Sequence, residues 1–124
     1  MRGEGIETCV SSLLSFVFWN QKGGTMSGKR ESQFQAQLIK DIKNRFEGAI
    51  VTKLDAGHIQ GIPDLLILYK DKWATLECKK SANASHRPNQ DYYVSTMNRM
   101  SFSRFIYPEN KEEVLNELQQ AFEP

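Results

Sequence analysis

From residue 31 onward, apolar positions recur with two different periods, and the switches between them mark out seven elements. In residues 31–46, Phe34, Leu38, Ile42 and Phe46 fall every four residues, with Ile39 beside them and Lys, Asp, Gln and Arg between. That spacing predicts an amphipathic helix, with Gly48 as its stop. Residues 49–54 are rich in β-branched side chains and predict a strand. Residues 55–63 carry Gly57, Gly61 and Pro63 and predict a loop. Residues 65–69 are apolar on both faces, which predicts a central strand covered on both sides. Residues 70–72 form a turn, and residues 73–79 return as the second arm of a hairpin. A polar loop over 80–87 leads to Pro88, which suits the first turn of a helix reaching about Met100. Residues 102–107 predict another strand. Asn110, with Glu113 three residues on, predicts a capping box for a last helix with the apolar face Val114, Leu115, Leu118 and Phe122. The order is α-β-β-β-α-β-α, an α/β fold with a central mixed sheet flanked by helices.

The chain divides into residues 1–25, an N-terminal extension, and residues 26–124, the domain. The apolar run from Cys9 to Trp19 is too short to span a bilayer and lacks the basic start and small-residue cleavage site of a signal peptide. The codons for Lys22-Gly23-Gly24 can spell AAGGAGGT, a bacterial ribosome-binding pattern, just before Met26-Ser27-Gly28-Lys29. We therefore expect residues 1–25 to be a translated upstream leader; the alternative is that the apolar run from Cys9 to Trp19 forms a short helix lying on the core. The rest implies a single soluble domain in a bacterial cytoplasm, with no membrane partner. Its formal net charge of +1 permits nucleic acid as a partner without pointing to it. Cys9 and Cys78 form neither a zinc spacing nor a disulfide framework, and Cys78 reads as a buried free thiol.

The chemistry lies on the hairpin. A turn centred on Asp71 sets Asp64 nearly opposite Glu77 and Cys78, and alternation turns Glu77 and Lys79 to one face, Leu76 and Cys78 to the other. Three charged groups then converge at one end of an apolar hairpin, where burial without partners is costly. A carboxylate pair of this kind can hold Mg²⁺, with the main-chain oxygen of Cys78 as a further ligand. Lys79 is placed to orient an attacking water or to stabilise charge on a phosphate. As a bare pattern, an acid and an acid-x-lysine pair also describes an ordinary salt bridge. Gln90, Tyr93, Val94 and Met97 share one face of the helix that follows, so the Gln90 amide is expected to point inward.

At Pro63-Asp64 and Glu77-Cys78-Lys79 the sequence resembles the PD-(D/E)xK nuclease superfamily. Within it, Gly61-Ile62-Pro63-Asp64-Leu65, Glu77-Cys78-Lys79 and Gln90 are similar to the virus-type replication-repair (VRR-NUC) group, over about residues 31–122. The resemblance implies a restriction-endonuclease-like core and Mg²⁺-dependent hydrolysis of DNA, with Mn²⁺ able to substitute. It assigns Asp64, Glu77, Lys79 and Gln90 to catalysis and Asp64, Glu77 and the Cys78 main chain to the metal. Glu31 is a candidate metal support, equally explained as a helix-start carboxylate. Small stand-alone members are similar to phage Holliday-junction resolvases, which implies branched DNA and a homodimer. Tyr92, Trp73 and Phe105 are candidate interface rings, each also explained by core packing. The alternatives are a nickase, a repair exonuclease, or a non-catalytic DNA-binding module of the same fold. Lys53, Lys80 and Arg87 are candidate phosphate contacts; His58, Gln60 and His86 lie on loops or strand ends nearby.

Overall fold

The computed structural model describes residues 27–124, so the leader expected at residues 1–25 lies outside the described residues. The elements are α1 (Ser27–Arg45), β1 (Ile50–Lys53), β2 (Leu65–Tyr69), β3 (Lys72–Cys78), α2 (Pro88–Met100), β4 (Ser103–Ile106) and α3 (Lys111–Phe122). Helix α1 starts at Ser27, before the predicted residue 31; residues 27–30 carry no apolar side chain, so hydrophobic periodicity cannot mark them. Gly48, at φ 89°, turns the chain from α1 into β1.

The four strands form one mixed sheet in the order β1-β2-β3-β4. The β1-β2 and β2-β3 pairs are antiparallel and β3-β4 is parallel. A parallel neighbour needs a crossover, and α2 supplies it. The hairpin turn is Lys70–Asp71, with Lys70 at φ 56°, so Tyr69 pairs with Lys72 and Leu65 with Leu76.

One face of the sheet carries Leu65, Ile67, Tyr69, Ala74, Leu76 and Cys78 into the core, against Leu38, Ile42 and Phe46 of α1 and Val114, Leu115, Leu118 and Phe122 of α3. Phe46, Tyr69 and Phe122 close one end of this core, with ring centroids 5.3–5.5 Å apart. The Tyr69 hydroxyl donates to Glu123 at 2.9 Å, so the ring is buried without stranding its polar end. On the other face α2 packs over β3 and β4. There the Thr75 hydroxyl lies 2.7 Å from the Ser103 hydroxyl and 3.5 Å from Met97 Sδ.

Two expectations are corrected. Strand β2 is covered on its Leu65, Ile67 and Tyr69 face, but Leu68 on the opposite face is 40% exposed, and its β1 partner Ile50 is 60% exposed. The crossover helix lies over the two strands it connects, and among the described residues no helix covers the β1-β2 half of that face. Asn110 is the N-cap residue of α3, as predicted, and its carbonyl accepts the Val114 amide at 2.9 Å, but its side chain makes no cap bond. Its Oδ1 accepts the Tyr107 amide at 2.8 Å and its Nδ2 donates to the Phe105 carbonyl at 3.1 Å, bridging the Pro108 turn. The capping box with Glu113 does not form because the side chain is already engaged.

The loop over residues 55–63 is a run of turns. The Asp55 carboxylate accepts the Gly57 amide at 2.8 Å, and the Asp55 carbonyl accepts the His58 amide at 3.0 Å. The loop seats against the start of α2 at Gly61, which has φ 90°. A Cβ there would lie 2.4 Å from Asn89 Cβ. Gly61→Ala should therefore combine a left-handed penalty with a clash and destabilise the fold by more than about 1 kcal/mol. A denaturant midpoint equal to that of the wild type would refute this account of the loop.

Candidate active site

Asp64 stands one residue before β2. Extending the Leu65–Leu76 pairing by one step sets it across from Glu77. Its carbonyl accepts the Leu54 amide at 2.8 Å and its Oδ2 accepts the Cys78 amide at 2.9 Å. Asp64 is thus fixed between β1 and β3, at the end of the sheet where the hairpin strands finish. Pro63 just before it is buried and favours an extended approach.

Strand alternation sends Leu76 and Cys78 into the core and Glu77 and Lys79 to the α2 face. Glu77 is 3% exposed and Lys79 8%. The Lys79 amide donates to the Ile106 carbonyl at 2.8 Å, which carries the β3-β4 pairing past the end of β3. Gln90, in the first turn of α2, joins the charged groups. Its Oε1 accepts from Lys79 Nζ at 2.7 Å and from the Arg87 amide at 3.1 Å, and its Nε2 donates to Glu77 Oε2 at 2.9 Å. Lys79 Nζ is 3.8 Å from the same carboxylate oxygen. One amide thus satisfies an acid, a lysine and a helix end together. The inward direction expected from the periodicity of α2 is observed.

Charge is crowded here. Burial pushes the Glu77 carboxyl up to about 8; the Asp64 charge adds to the rise, and Lys79 opposes it. Burial likewise raises Asp64, against the pull of the Cys78 amide, Lys79 and Lys53. Glu31 on α1 is raised by burial and by Asp64, and lowered by Lys79 and Lys80. The Cys78 thiol is buried and free, and burial pushes it far above the usual thiol range, so it is an inert core group.

Among the described residues, Glu77 Oε1 is a buried oxygen with no hydrogen-bond partner. An orphaned carboxylate oxygen beside a second carboxylate suits the ligand field of a hard cation. Among the described residues, no group of three or more His, Cys, Asp or Glu side chains is gathered to hold a metal. The Asp64 charge raises Glu31, and Glu31 in turn raises Glu77, but the three do not form a metal cage. The donor set is two carboxylates, which fits Mg²⁺, an ion that keeps waters and takes substrate phosphate oxygens in place of a protein cage.

Two clefts flank the carboxylates and meet at Arg87 and Gln90. One, of about 590 Å³, lies between the 55–62 loop and the start of α2, with Asp64 and Glu77 in its wall. The other, of about 550 Å³, holds Glu31, Lys79 and Lys80. The candidate phosphate contacts thus border the site: Lys80 and Arg87 in the second cleft, and Lys53 close enough to act on Asp64. Gln60 lines the first cleft, whereas exposed His58 lines neither. His86 turns aside: its Nδ1 is 3.1 Å from Asp91 and its ring stacks on Phe105 at 3.9 Å between centroids. Of the candidate interface rings, Tyr92 is 61% exposed, while Trp73 and Phe105 are half-buried.

Sequence reasoning missed the far wall of the first cleft, Ala56, Gly57, Pro88 and Asn89. The glycines and the proline marked a loop and a helix start, but no periodic signal tied the two segments together. Comparison with family models, curated proteins and solved structures finds no match for this chain.

Proposed function

We propose that this chain is a Mg²⁺-dependent endodeoxyribonuclease of the PD-(D/E)xK type, resembling the VRR-NUC group and working as a homodimer on branched, Holliday-junction-like DNA. The supporting observation is Glu77. A carboxylate held 3% exposed, with one oxygen unpartnered among the described residues and Asp64 alongside, costs free energy that packing does not return. A DNA-binding module without catalysis has no use for that cost.

Asp64, Glu77 and the Cys78 main-chain oxygen would hold the metal, which when bound polarises a scissile phosphate and acidifies an attacking water. The residues of the chain do the rest. The Cys78 amide fixes the Asp64 carboxylate, and Gln90 fixes Glu77 and Lys79 relative to one another. Lys79, held by Gln90, presents an ammonium group to charge that grows on the phosphate as the bond breaks. Lys53, Lys80 and Arg87 contact flanking phosphates and set the register of the strand. Lys79→Ala should lower turnover about 10²–10³-fold, the usual loss of one transition-state donor, with less than a threefold change in DNA affinity. A tenfold loss of affinity with turnover intact would make Lys79 a phosphate clamp only.

The test of the function is direct. The protein is incubated with four-way-junction, nicked, flap and linear duplex DNA, each with Mg²⁺, Mn²⁺ or EDTA, and its mass is measured by light scattering. The proposal expects metal-dependent cuts in opposed junction strands by a dimer, because each copy supplies one centre. A monomer that cuts linear duplex as readily would leave a general nuclease, and no cleavage of any substrate would overturn the enzyme reading.

A further inference from the structure

The two clefts beside the carboxylates differ in chemistry. The second is lined by the cations Lys79, Lys80 and Arg87 against one carboxylate, Glu31, with Asn83 and Ser85 as neutral polar groups, a net basic surface of the kind a phosphate backbone needs. Among the described residues that line the first, Arg87 at the shared rim is the one cation. Beyond the carboxylates Asp64 and Glu77 on its inner side, its wall includes Ile62 and Pro88, which bring apolar surface, and Gln60 and Asn89, which bring carboxamides. A carboxamide offers a donor and an acceptor side by side, the complement of a nucleobase edge. Apolar surface takes a base face but gains nothing from a phosphate.

We infer that the first cleft is a nucleobase subsite: it takes the base of a nucleotide adjoining the phosphate at Asp64 and Glu77, turned out of its stack. This rests on the proposed nuclease function and adds the class of substrate to it. A strand crossing the carboxylates has the basic cleft on one side and the amide-lined cleft on the other. The backbone follows the lysines, and the adjoining base enters the wall that lacks them. The cleft is formed before any ligand arrives, because Gly61 seats the loop against Asn89 too closely for a side chain to intervene. A base within a duplex reaches it only by leaving the stack, at a cost that is least where pairing is already broken. The subsite therefore selects DNA with a locally unpaired nucleotide at the cut. Among the described residues no aromatic ring lines the cleft, so the base is held by its edge and by apolar packing rather than by ring stacking.

The test uses the full chain with Ca²⁺ in place of Mg²⁺ and a duplex of about 20 base pairs carrying 2-aminopurine in a central mismatch, beside the same duplex fully paired. Anisotropy of an end label reports binding, and 2-aminopurine emission reports unstacking. The wild type should bind the mismatched duplex at least tenfold more tightly and raise its emission several-fold. Ala56→Phe, which places a ring in the cleft from an exposed loop position, should reduce that preference below twofold and remove the emission rise. The double substitution Gln60→Ala, Asn89→Ala should reduce the preference without filling the space. Binding to both duplexes with equal affinity and unchanged emission would overturn the subsite and leave the nuclease reading standing. Absence of binding to either duplex, with no cleavage of the junction panel, would overturn both.

Discussion

Asp64→Asn and Glu77→Gln should each reduce DNA cleavage by at least about 10³-fold while leaving the protein folded. The substitutions are nearly isosteric, and the hydrogen bonds explain why the fold survives them. Asp64 accepts the Cys78 amide through one oxygen, and the carbonyl oxygen of an asparagine side chain can accept the same bond. Glu77 accepts from Gln90 Nε2 through one oxygen, and the carbonyl oxygen of a glutamine side chain can do the same. What each substitution removes is a negative charge at the proposed metal position. Metal-assisted stabilisation contributes several kcal/mol of a hydrolytic barrier, and about 1.4 kcal/mol is tenfold in rate. With the carboxyls ionised, as Mg²⁺ binding requires, DNA affinity should hold or rise, since a charge facing phosphate is lost. Wild-type cleavage rates in either variant, with folding verified by circular dichroism, would remove these residues from the active site.

Much of this arrangement is legible in the sequence, and the reason is local. A tight turn between two apolar strands nearly fixes register: a turn over 70–72 centred on Asp71 sets Asp64 between Glu77 and Cys78, and the observed two-residue turn at Lys70–Asp71 places it opposite Glu77. Period-two alternation then separates Glu77 and Lys79 from Leu76 and Cys78. Helical periodicity aims Gln90 at the sheet along with Val94 and Met97, and its bonds to Glu77 and Lys79 follow from that direction. The illegible parts depend on contacts between distant segments. The apolarity of Leu66 and Leu68 cannot say whether a helix covers them, because coverage depends on where the α2 crossover lies. Asn110 carries a capping pattern, but the Pro108 turn competes for the same side chain and wins. The stacking of His86 on Phe105 and the seating of Gly61 on Asn89 join residues far apart in the chain, with no repeating pattern to announce either.

The metal-free protein should lose stability as pH rises, and Glu77→Gln should largely abolish that loss. The Glu77 carboxyl faces Asp64 just before β2, Lys79 just past the end of β3, Glu31 of α1 and Gln90 of α2, and burial pushes it up to about 8 from the ordinary 4.5. Below pH 4.5 the carboxyl is protonated in both folded and unfolded chains and costs nothing. Between 4.5 and 8 the unfolded chain releases the proton and the folded chain keeps it, so stability falls with pH until the folded group also ionises. Asp64 and Glu31 are raised too and act in the same direction. The full Glu77 shift corresponds to roughly 5 kcal/mol, at about 1.4 kcal/mol per pH unit. For a domain of this size that is a fall in melting temperature of more than about 10 °C between about pH 5 and about pH 9. Mg²⁺ competes with the same proton, so it should raise the melting temperature more at the alkaline end of this range than at the acid end. Glutamine in place of Glu77 has no proton to release, so the variant should be the more stable protein at alkaline pH and the inactive one at every pH. Such a trade of stability for function is what a carboxylate retained for chemistry predicts, and a salt bridge retained for the fold does not. Thermal melts of both proteins in EDTA across this range decide it: parallel curves would mean that Glu77 is already ionised and partnered in the folded chain.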